Sequence, residues 1–380
     1  MQYRLSEGQV RFLRLRAQRL DRRSPESAAD VAGIAKEMCG LQAQDLAAAA
    51  LAVRARSTGL AARDVDRARV DERSVVRTWC MRGTLHLLAT EDLGWLLPLL
   101  GPVFIRESER RYAELGLDES TRANSTRALR GVLESYGPLT RAEIVQRLAA
   151  LGVALEGQAV PHLLRYAALV GTICLGPDRH GEPTYVILRD WVNCGPALAP
   201  DEAPAVLAQR YLFAYGPAAP DDLAAWSGLP MSVVRTAWQR IAGQLLRVEC
   251  AGRPVWLLAS RAGWLDEVPP RSRLVSLLPS FDAYLLGYRD RDLVVAPEHA
   301  RRIHPGGGGL SPTLLVDGSA AGVWKANRQR DHLEVAIEPF RDLPEDAKQG
   351  LEAEAEDLAR FLEVKVRYSV LPPTPADTNR

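Results

Sequence analysis

Between residues 125 and 260 the apolar positions twice change from a helical period to strand-like alternation, and the same tripeptide marks both passages. Tyr136-Gly137-Pro138 recurs as Tyr215-Gly216-Pro217. Each copy follows a helical segment, residues 125–135 in the first case and 203–214 in the second. In the first copy Thr140 and Glu143 make a capping box that opens a second helix, whose Ile144, Val145, Leu148 and Leu151 share one face. A third helix over residues 157–168 is predicted next, then strands at 170–175 and 184–188 around a turn at 176–181. In the second copy Asp221 or Asp222 caps the second helix, and Ser232 caps a third that reaches Ile241. Residues 245–250 and 255–258 then form a hairpin across Ala251-Gly252-Arg253. Three helices followed by a two-stranded wing is the winged form of the helix-turn-helix, whose third helix can lie in a DNA major groove. The repeat interval, 79 residues from Tyr136 to Tyr215, is too long for a stacked solenoid, so two complete modules are expected.

The flanks extend this plan. Helical spacing covers residues 6–20, 28–38, 44–57 and 62–68. Residues 74–79 and 83–88 alternate like a hairpin, and a helix starts near Thr90. This is a third module with insertions, placed first in the chain. Strand-like runs at 273–278, 311–317, 320–326 and 332–337, a charged helix at 345–362 and a last strand at 364–370 predict a small β-barrel or curled sheet. The expected class is α+β, with three tandem winged-helix modules at 1–124, 125–200 and 201–270 and a C-terminal β-barrel at 271–371. A tail from residue 372 is expected to be disordered.

Composition narrows the chemistry. The 380 residues are 47% hydrophobic and 25% charged, the ordinary globular mixture. No apolar run reaches the roughly 20 residues that span a bilayer. The charged N-terminus lacks the apolar core of a signal peptide, so a cytoplasmic protein is expected. The five cysteines are scattered without CxxC spacing and the six histidines do not cluster, which argues against a disulfide framework or a metal centre. GxGxxG, GxxxxGK[ST] and GxSxG are absent, so no nucleotide cofactor, kinase or common hydrolase chemistry is expected. Net charge is only +1. Its distribution is uneven: residues 1–130 hold 22 Lys and Arg against 17 Asp and Glu, whereas residues 331–360 hold 3 against 10. The cations are nearly all arginine, whose planar fork suits phosphates and guanine edges. A GC-rich genome would enrich arginine equally well.

Cys39-Gly-Leu-Gln42-Ala-Gln44-Asp45 stands out. Gly40 interrupts a helix, and Gln42 and Gln44 sit two apart before an Ala-rich helical run. In an extended segment residues i and i+2 can face one cleft. The alternative is a polar helix start with Asp45 as its first-turn anion.

Leu41-Gln-Ala-Gln44, RTWCMRGTLH over residues 77–86, LPSFDAYLLGYRDR over 278–291, Val316-Asp-Gly and Gly322-Val-Trp-Lys325 together resemble the winged-helix family that contains AlkZ and YcaQ. The resemblance spans nearly the whole chain. It implies winged-helix units and a β-barrel arranged as a C-shaped clamp around duplex DNA. It also implies monofunctional excision of N7-alkylguanine, including bulky adducts and in some members interstrand cross-links, for repair or for self-resistance to a DNA-alkylating natural product. The family's catalytic QxQ pair is matched by Gln42 and Gln44, whereas the YcaQ branch carries Asp at the second position. No cofactor or metal is implied. The expected partner is double-stranded DNA containing an alkylated purine, acted on by a monomer.

Glutamine cannot take a proton at neutral pH, but it can orient water. That suffices when the base is already cationic and leaves as a neutral molecule. Asp45 is the rival base. Arg77, Arg82, Thr84, His86, Tyr288, Arg289, Arg291 and Lys325 are the candidate DNA contacts. His86 can equally be a satisfied half-buried histidine, and Asp282 and Asp290 can serve to orient arginines. Arg165, Arg235 and Arg240 lie on the expected recognition helices, where a solvated face explains them almost as well. The competing functions are a winged-helix regulator without base release and a protein that binds adducts without cutting.

Overall fold

A computed structural model describes residues 3–23, 30–153, 155–270 and 272–373. The expected disorder from residue 372 falls mostly on residues outside that description, as does the start of the helix expected at 28–38, which is seen as Val31–Glu37. The chain is α+β throughout.

Local signals act where the sequence places them. The helix Glu119–Tyr136 ends at Gly137, whose φ of 74° breaks it. Thr140 then caps Arg141–Ala150 through a capping box: the Thr140 N–H donates to Glu143 at 2.7 Å, and the Glu143 N–H donates to the Thr140 hydroxyl at 3.4 Å. Ala159–Leu169 follows, then the hairpin Ile173–Arg179 and Glu182–Ile187. The wing is longer than expected because a bulge between Leu175 and Asp178 carries the first strand through Pro177 to a turn at His180–Gly181. The second copy runs through Ala203–Tyr215, Pro220–Ser227, Met231–Arg240 and the hairpin Leu245–Cys250 and Arg253–Leu258. Here Asp222, at the third helical position, accepts the Ala219 N–H at 2.9 Å, and Pro230 rather than Ser232 precedes the third helix. The turns His180–Gly181 and Ala251–Gly252 each have two positive φ values, the conformation that matches the twist of paired strands.

Among the described residues these elements build three sheets. The hairpin Val75–Trp79 and Leu85–Ala89 does not stand alone. Arg77 pairs with Leu175, which fuses the first two hairpins into a six-stranded sheet with the two-residue strands Leu41–Gln42 and Leu139–Thr140 at its edges. The third hairpin instead takes Tyr3–Leu5 as a parallel neighbour, with Leu5 opposite Cys250. Val10, Phe12 and Leu13 of the helix Glu7–Ala17 pack on Val248, Val255 and Leu257. The start of the chain therefore joins the third hairpin, although the sequence reading grouped it with residues up to 124.

The C-terminal sheet is an open half-barrel rather than a closed barrel. Val275–Leu278, Thr313–Val316, Ser319–Arg328 and His332–Pro339 pair antiparallel in chain order, and Lys365–Val370 adds in parallel at the far edge. The helix Glu345–Leu362 supplies the crossover that a parallel connection needs. Its Leu351 and Leu358 pack with Leu277, Leu314, Trp324, Val335 and Ile337, and so cover the face on which a barrel would have closed.

Buried arginines tie this half-barrel to the rest. Arg54 donates to Glu354 and Asp357 on the crossover helix and to the Leu277 carbonyl. Arg56, 1% exposed, makes a two-pronged bond to Asp282 at 2.9 Å on each prong and also donates to Gln18. The Asp282 side chain also caps Ala283–Leu286. Asp282 thus orients an arginine, as the sequence allowed, but an internal one. Removing one partner of a buried pair leaves an uncompensated charge, so Asp282→Ala should destabilise the protein by about 3–5 kcal/mol. An Arg56→Met, Asp282→Leu double variant should be markedly less damaged. Midpoints of denaturant unfolding check both.

Candidate functional site: paired amides on a sheet edge

The segment that carries the two glutamines is set by backbone geometry. After Val31–Glu37 the chain turns through Cys39 at φ 52° and Gly40 at φ 105°. The φ of Gly40 favours glycine there, and a Cβ would also press on the side-chain ends of Leu88 and Met81. Leu41 and Gln42 then pair with Leu87 and His86, and the Ala43 N–H donates to the Leu85 carbonyl at 2.8 Å. Strand alternation does the rest. Leu41 and Ala43 are buried, whereas Gln42 is half-buried and Gln44 exposed. The two amides meet on the outer side, Gln42 Nε2 donating to Gln44 Oε1 at 2.6 Å.

Asp45 is committed elsewhere. Its Oδ1 accepts the N–H groups of Ala47 at 2.9 Å and Ala48 at 3.2 Å, capping Leu46–Arg54. The expected first-turn anion is therefore an N-cap, directly beside the glutamine pair.

Arginines of the first hairpin hold this segment from behind. Arg77 Nε donates to the Ala43 carbonyl at 2.8 Å and its Nη2 to the Gln44 carbonyl at 2.9 Å, and burial lowers its pKa. Arg82 sits in a left-handed turn, φ 54°, followed by Gly83 at φ 63°. It donates to the Trp226 carbonyl through Nη1 and to Gln42 Oε1 at 2.6 Å through Nη2. Burial is the main reason its pKa falls, and nearby Arg291 adds to the effect. Thr84 donates its hydroxyl to the Met81 carbonyl at 3.1 Å inside the same turn.

His86 is 2% exposed, so it does not offer a ring to DNA. Its Nδ1 lies 3.0 Å from the Thr84 carbonyl, which can only accept, so Nδ1 carries the hydrogen. Burial, with the charge of Arg82 as the second cause, lowers its pKa to about 3. Tyr288 is likewise interior. It donates to the Tyr215 carbonyl at 2.9 Å, accepts from Gln18 at 3.3 Å and lies under the Arg14 guanidinium. For both residues the expected DNA contact is corrected by burial.

The remaining candidates lie nearer the surface and have protein partners. Arg289 pairs with Asp221 at 2.5 Å and with Asp290 at 2.9 Å. Arg291 is half-buried, and its Nε donates to the Leu285 carbonyl at 2.8 Å. The exposed Lys325 lies 3.2 Å from Glu338. Of the helix arginines, Arg165 turns inward to the Gly83 carbonyl and the Ser108 hydroxyl, Arg240 pairs with Asp201, and Arg235 is exposed. Sequence reasoning missed the Trp226 carbonyl and the inward use of Arg165. The dipeptide Arg82-Gly83 between two strands was the available signal for the left-handed turn behind both. Among the described residues no three metal-ligating side chains come together, and no helix is long and apolar enough to cross a membrane.

The scaffold that presents this edge is that of a DNA-repair enzyme class. Residues 35–361 match the family described as DNA glycosylase AlkZ-like, and the chain belongs to that family; it is an N-glycosyl hydrolase that acts on DNA. Among its relatives is the interstrand DNA cross-link repair glycosylase of Streptomyces sahachiroi, 32% identical over 368 residues, which cover 93% of this chain and 95% of that protein. The solved structure of Streptomyces sahachiroi DNA glycosylase AlkZ is similar at a TM-score of 0.82 and 28% identity, covering 97% of this chain and all of that one.

The lowered pKa of His86 has a definite sign. The unfolded state binds the proton more readily, so the His86 contribution favours folding above about pH 6.5 and is lost as pH falls toward 3. Histidine NMR should show no proton uptake at His86 between pH 5 and 8 in the folded protein.

Proposed function

We propose that this glycosylase hydrolyses the N-glycosidic bond of N7-alkylguanine in duplex DNA, bulky adducts and interstrand cross-links included, as a monomer in the cytoplasm. The observation that carries this reading is the Gln42–Gln44 pair, two touching amides on an open edge whose adjacent carboxylate is occupied as a helix cap.

The chemistry suits neutral side chains. Alkylation at N7 puts a positive charge on the purine. When the bond from N9 to C1′ breaks, its electron pair moves into the ring and cancels that charge. Water adds to C1′ and releases its proton to solvent. Gln42 and Gln44 orient this water through the remaining lone pair of each amide oxygen, since each already accepts one protein N–H, and the same oxygens stabilise the cationic sugar as it forms. No side-chain acid is needed, because the leaving group already carries the charge that protonation would otherwise supply, and water meeting a cationic sugar loses its proton readily.

The openness of the edge fits a bulky lesion. Extruding a base into a snug pocket has an unstacking cost and is impractical for a base linked to both strands. A cavity of about 680 Å³ between Leu97 and Gly171 is lined by neither glutamine. In this reading the adduct stays in the duplex while the edge strand reaches the sugar. Exposed Arg289 and Lys325 exchange their carboxylate partners for phosphates as the protein closes on DNA like a clamp.

Duplex DNA carrying N7-methylguanine, followed by heat cleavage at abasic sites, tests the assignment. A Gln42→Ala, Gln44→Ala variant that still folds and binds DNA should lose about 100-fold or more of the release rate. Release at the wild-type rate would sink the role of the pair. Asp45→Asn should keep the cap and the activity; a loss comparable to the double variant would make Asp45 the base. Lys325→Ala should weaken binding and lower the slope of log K against log salt by about 0.9.

A further inference from the structure

The Arg82 guanidinium, expected from sequence to meet DNA, points inward at the amide pair. It has five N–H donors and no acceptor, so a bond from it fixes the identity of the atom it reaches. Arg82 Nη2 lies 2.6 Å from Gln42 Oε1, and the amide oxygen must face it. The Gln42 NH₂ group is thereby turned to Gln44 Oε1, also at 2.6 Å. The Gln44 NH₂ group must then point away from Gln42. One guanidinium sets the orientation of two amides that would otherwise be free to flip.

The origin of that guanidinium is rigid. Its residue occupies the left-handed region, and the next, Gly83, also has positive φ. A Cβ at Gly83 would run into the guanidinium of Arg165, which instead reaches past the glycine to the Gly83 carbonyl and the Ser108 hydroxyl. On the other side Arg82 Nη1 donates to the Trp226 carbonyl at the end of Pro220–Ser227. The turn is held by the second and third helical units while its side chain reaches into the first.

We propose that Arg82 is a positioning residue for the glycosylase reaction, which locks the Gln42–Gln44 pair in a single amide arrangement, with one lone pair of each oxygen left for water and the Gln44 NH₂ group turned away from Gln42. This rests on the assignment of that pair to the reaction. In this role Arg82 meets neither phosphate nor the leaving base. The bond from the guanidinium polarises the Gln42 amide and, through its NH₂ group, strengthens the bond to Gln44.

Single-turnover release of N7-methylguanine from duplex DNA tests this in the full-length protein with Arg82→Met and Arg82→Lys. The expected result for Arg82→Met is a rate lower by roughly 10- to 100-fold, the effect of one hydrogen bond from a charged donor. Its DNA affinity and salt slope should match the wild type, and millimolar guanidinium ion should restore part of the rate. Arg82→Lys, which keeps the charge and one bond, should fall between the two and carries the same test if Arg82→Met fails to fold. A wild-type rate in Arg82→Met overturns the role. So does a loss of affinity with a salt slope lower by about 0.9, which marks a phosphate contact. A slow variant that guanidinium does not rescue and that melts early overturns it too, since that is the behaviour of a purely structural residue. A wild-type protein that releases no N7-methylguanine overturns the substrate assignment, and this role with it.

Discussion

The left-handed turn at Arg82–Gly83 is the contact on which the arrangement of the candidate site depends. Three segments distant in sequence converge there: the glutamine strand through Gln42, the helix Pro220–Ser227 through the Trp226 carbonyl, and the helix Ala159–Leu169 through Arg165. A two-residue strand such as Leu41–Gln42 has little pairing energy of its own. Its place is fixed by its neighbours. Leu87 and His86 hold it on one edge, Arg77 holds the carbonyls of Ala43 and Gln44, and Arg82 holds the side chain of Gln42. The candidate site is a short edge strand with an arginine-lined backing.

That backing changes the meaning of the arginine-rich composition. Arg54 and Arg56 are fully buried and bind carboxylates from the C-terminal half-barrel. Arg69 reaches Asp178 and the Gly176 carbonyl on the second hairpin, and Arg122 makes a two-pronged bond to Glu109. Such ties suit arginine, whose fork satisfies two acceptors at once and tolerates burial better than an ammonium. The positive balance of residues 1–130 is therefore partly an internal wiring of the modules rather than a face held out to a polyanion. The acidic run at 331–360 is its counterpart, since Glu354 and Asp357 lie within it.

What was legible in the sequence follows the range of the interaction. The Thr140 capping box, the Tyr-Gly-Pro helix ends and the alternation of the hairpins act over a few residues, and each was readable from them. Period-two spacing placed Gln42 and Gln44 on one side of a strand for the same reason. The pairing of Tyr3–Leu5 with Leu245–Cys250 spans more than two hundred residues and leaves no local pattern. The fusion of two hairpins through Arg77 and Leu175 is equally silent, whereas the curled C-terminal sheet was expected from its strand-like runs. Within 278–291, Tyr288, Arg289 and Arg291 were expected to contact DNA, and Asp282 and Asp290 to orient arginines. Asp282, Tyr284 and Tyr288 prove to be interior, bonded to Arg56, the Gly318 carbonyl and the Tyr215 carbonyl. Direction of a side chain is a tertiary property, and composition does not carry it.

The electrostatics of the site bear on the kind of substrate it can process. Around the glutamine pair the groups that ordinarily move protons are withdrawn: His86 is buried and neutral with its pKa lowered to about 3, and Asp45 is bound to two backbone N–H groups. Arg77 and Arg82 remain cationic but point at oxygens of the protein. A site so arranged has little means of protonating a neutral base as it leaves, and could not speed the loss of an ordinary purine by that route. On the proposed role of the pair, its substrate is a base that arrives already charged, where orientation of water and of dipoles is the larger part of the work. Selectivity for cationic purines would then follow from what the site lacks in proton-transfer groups, without a pocket shaped to any one adduct, and that is compatible with lesions of very different size.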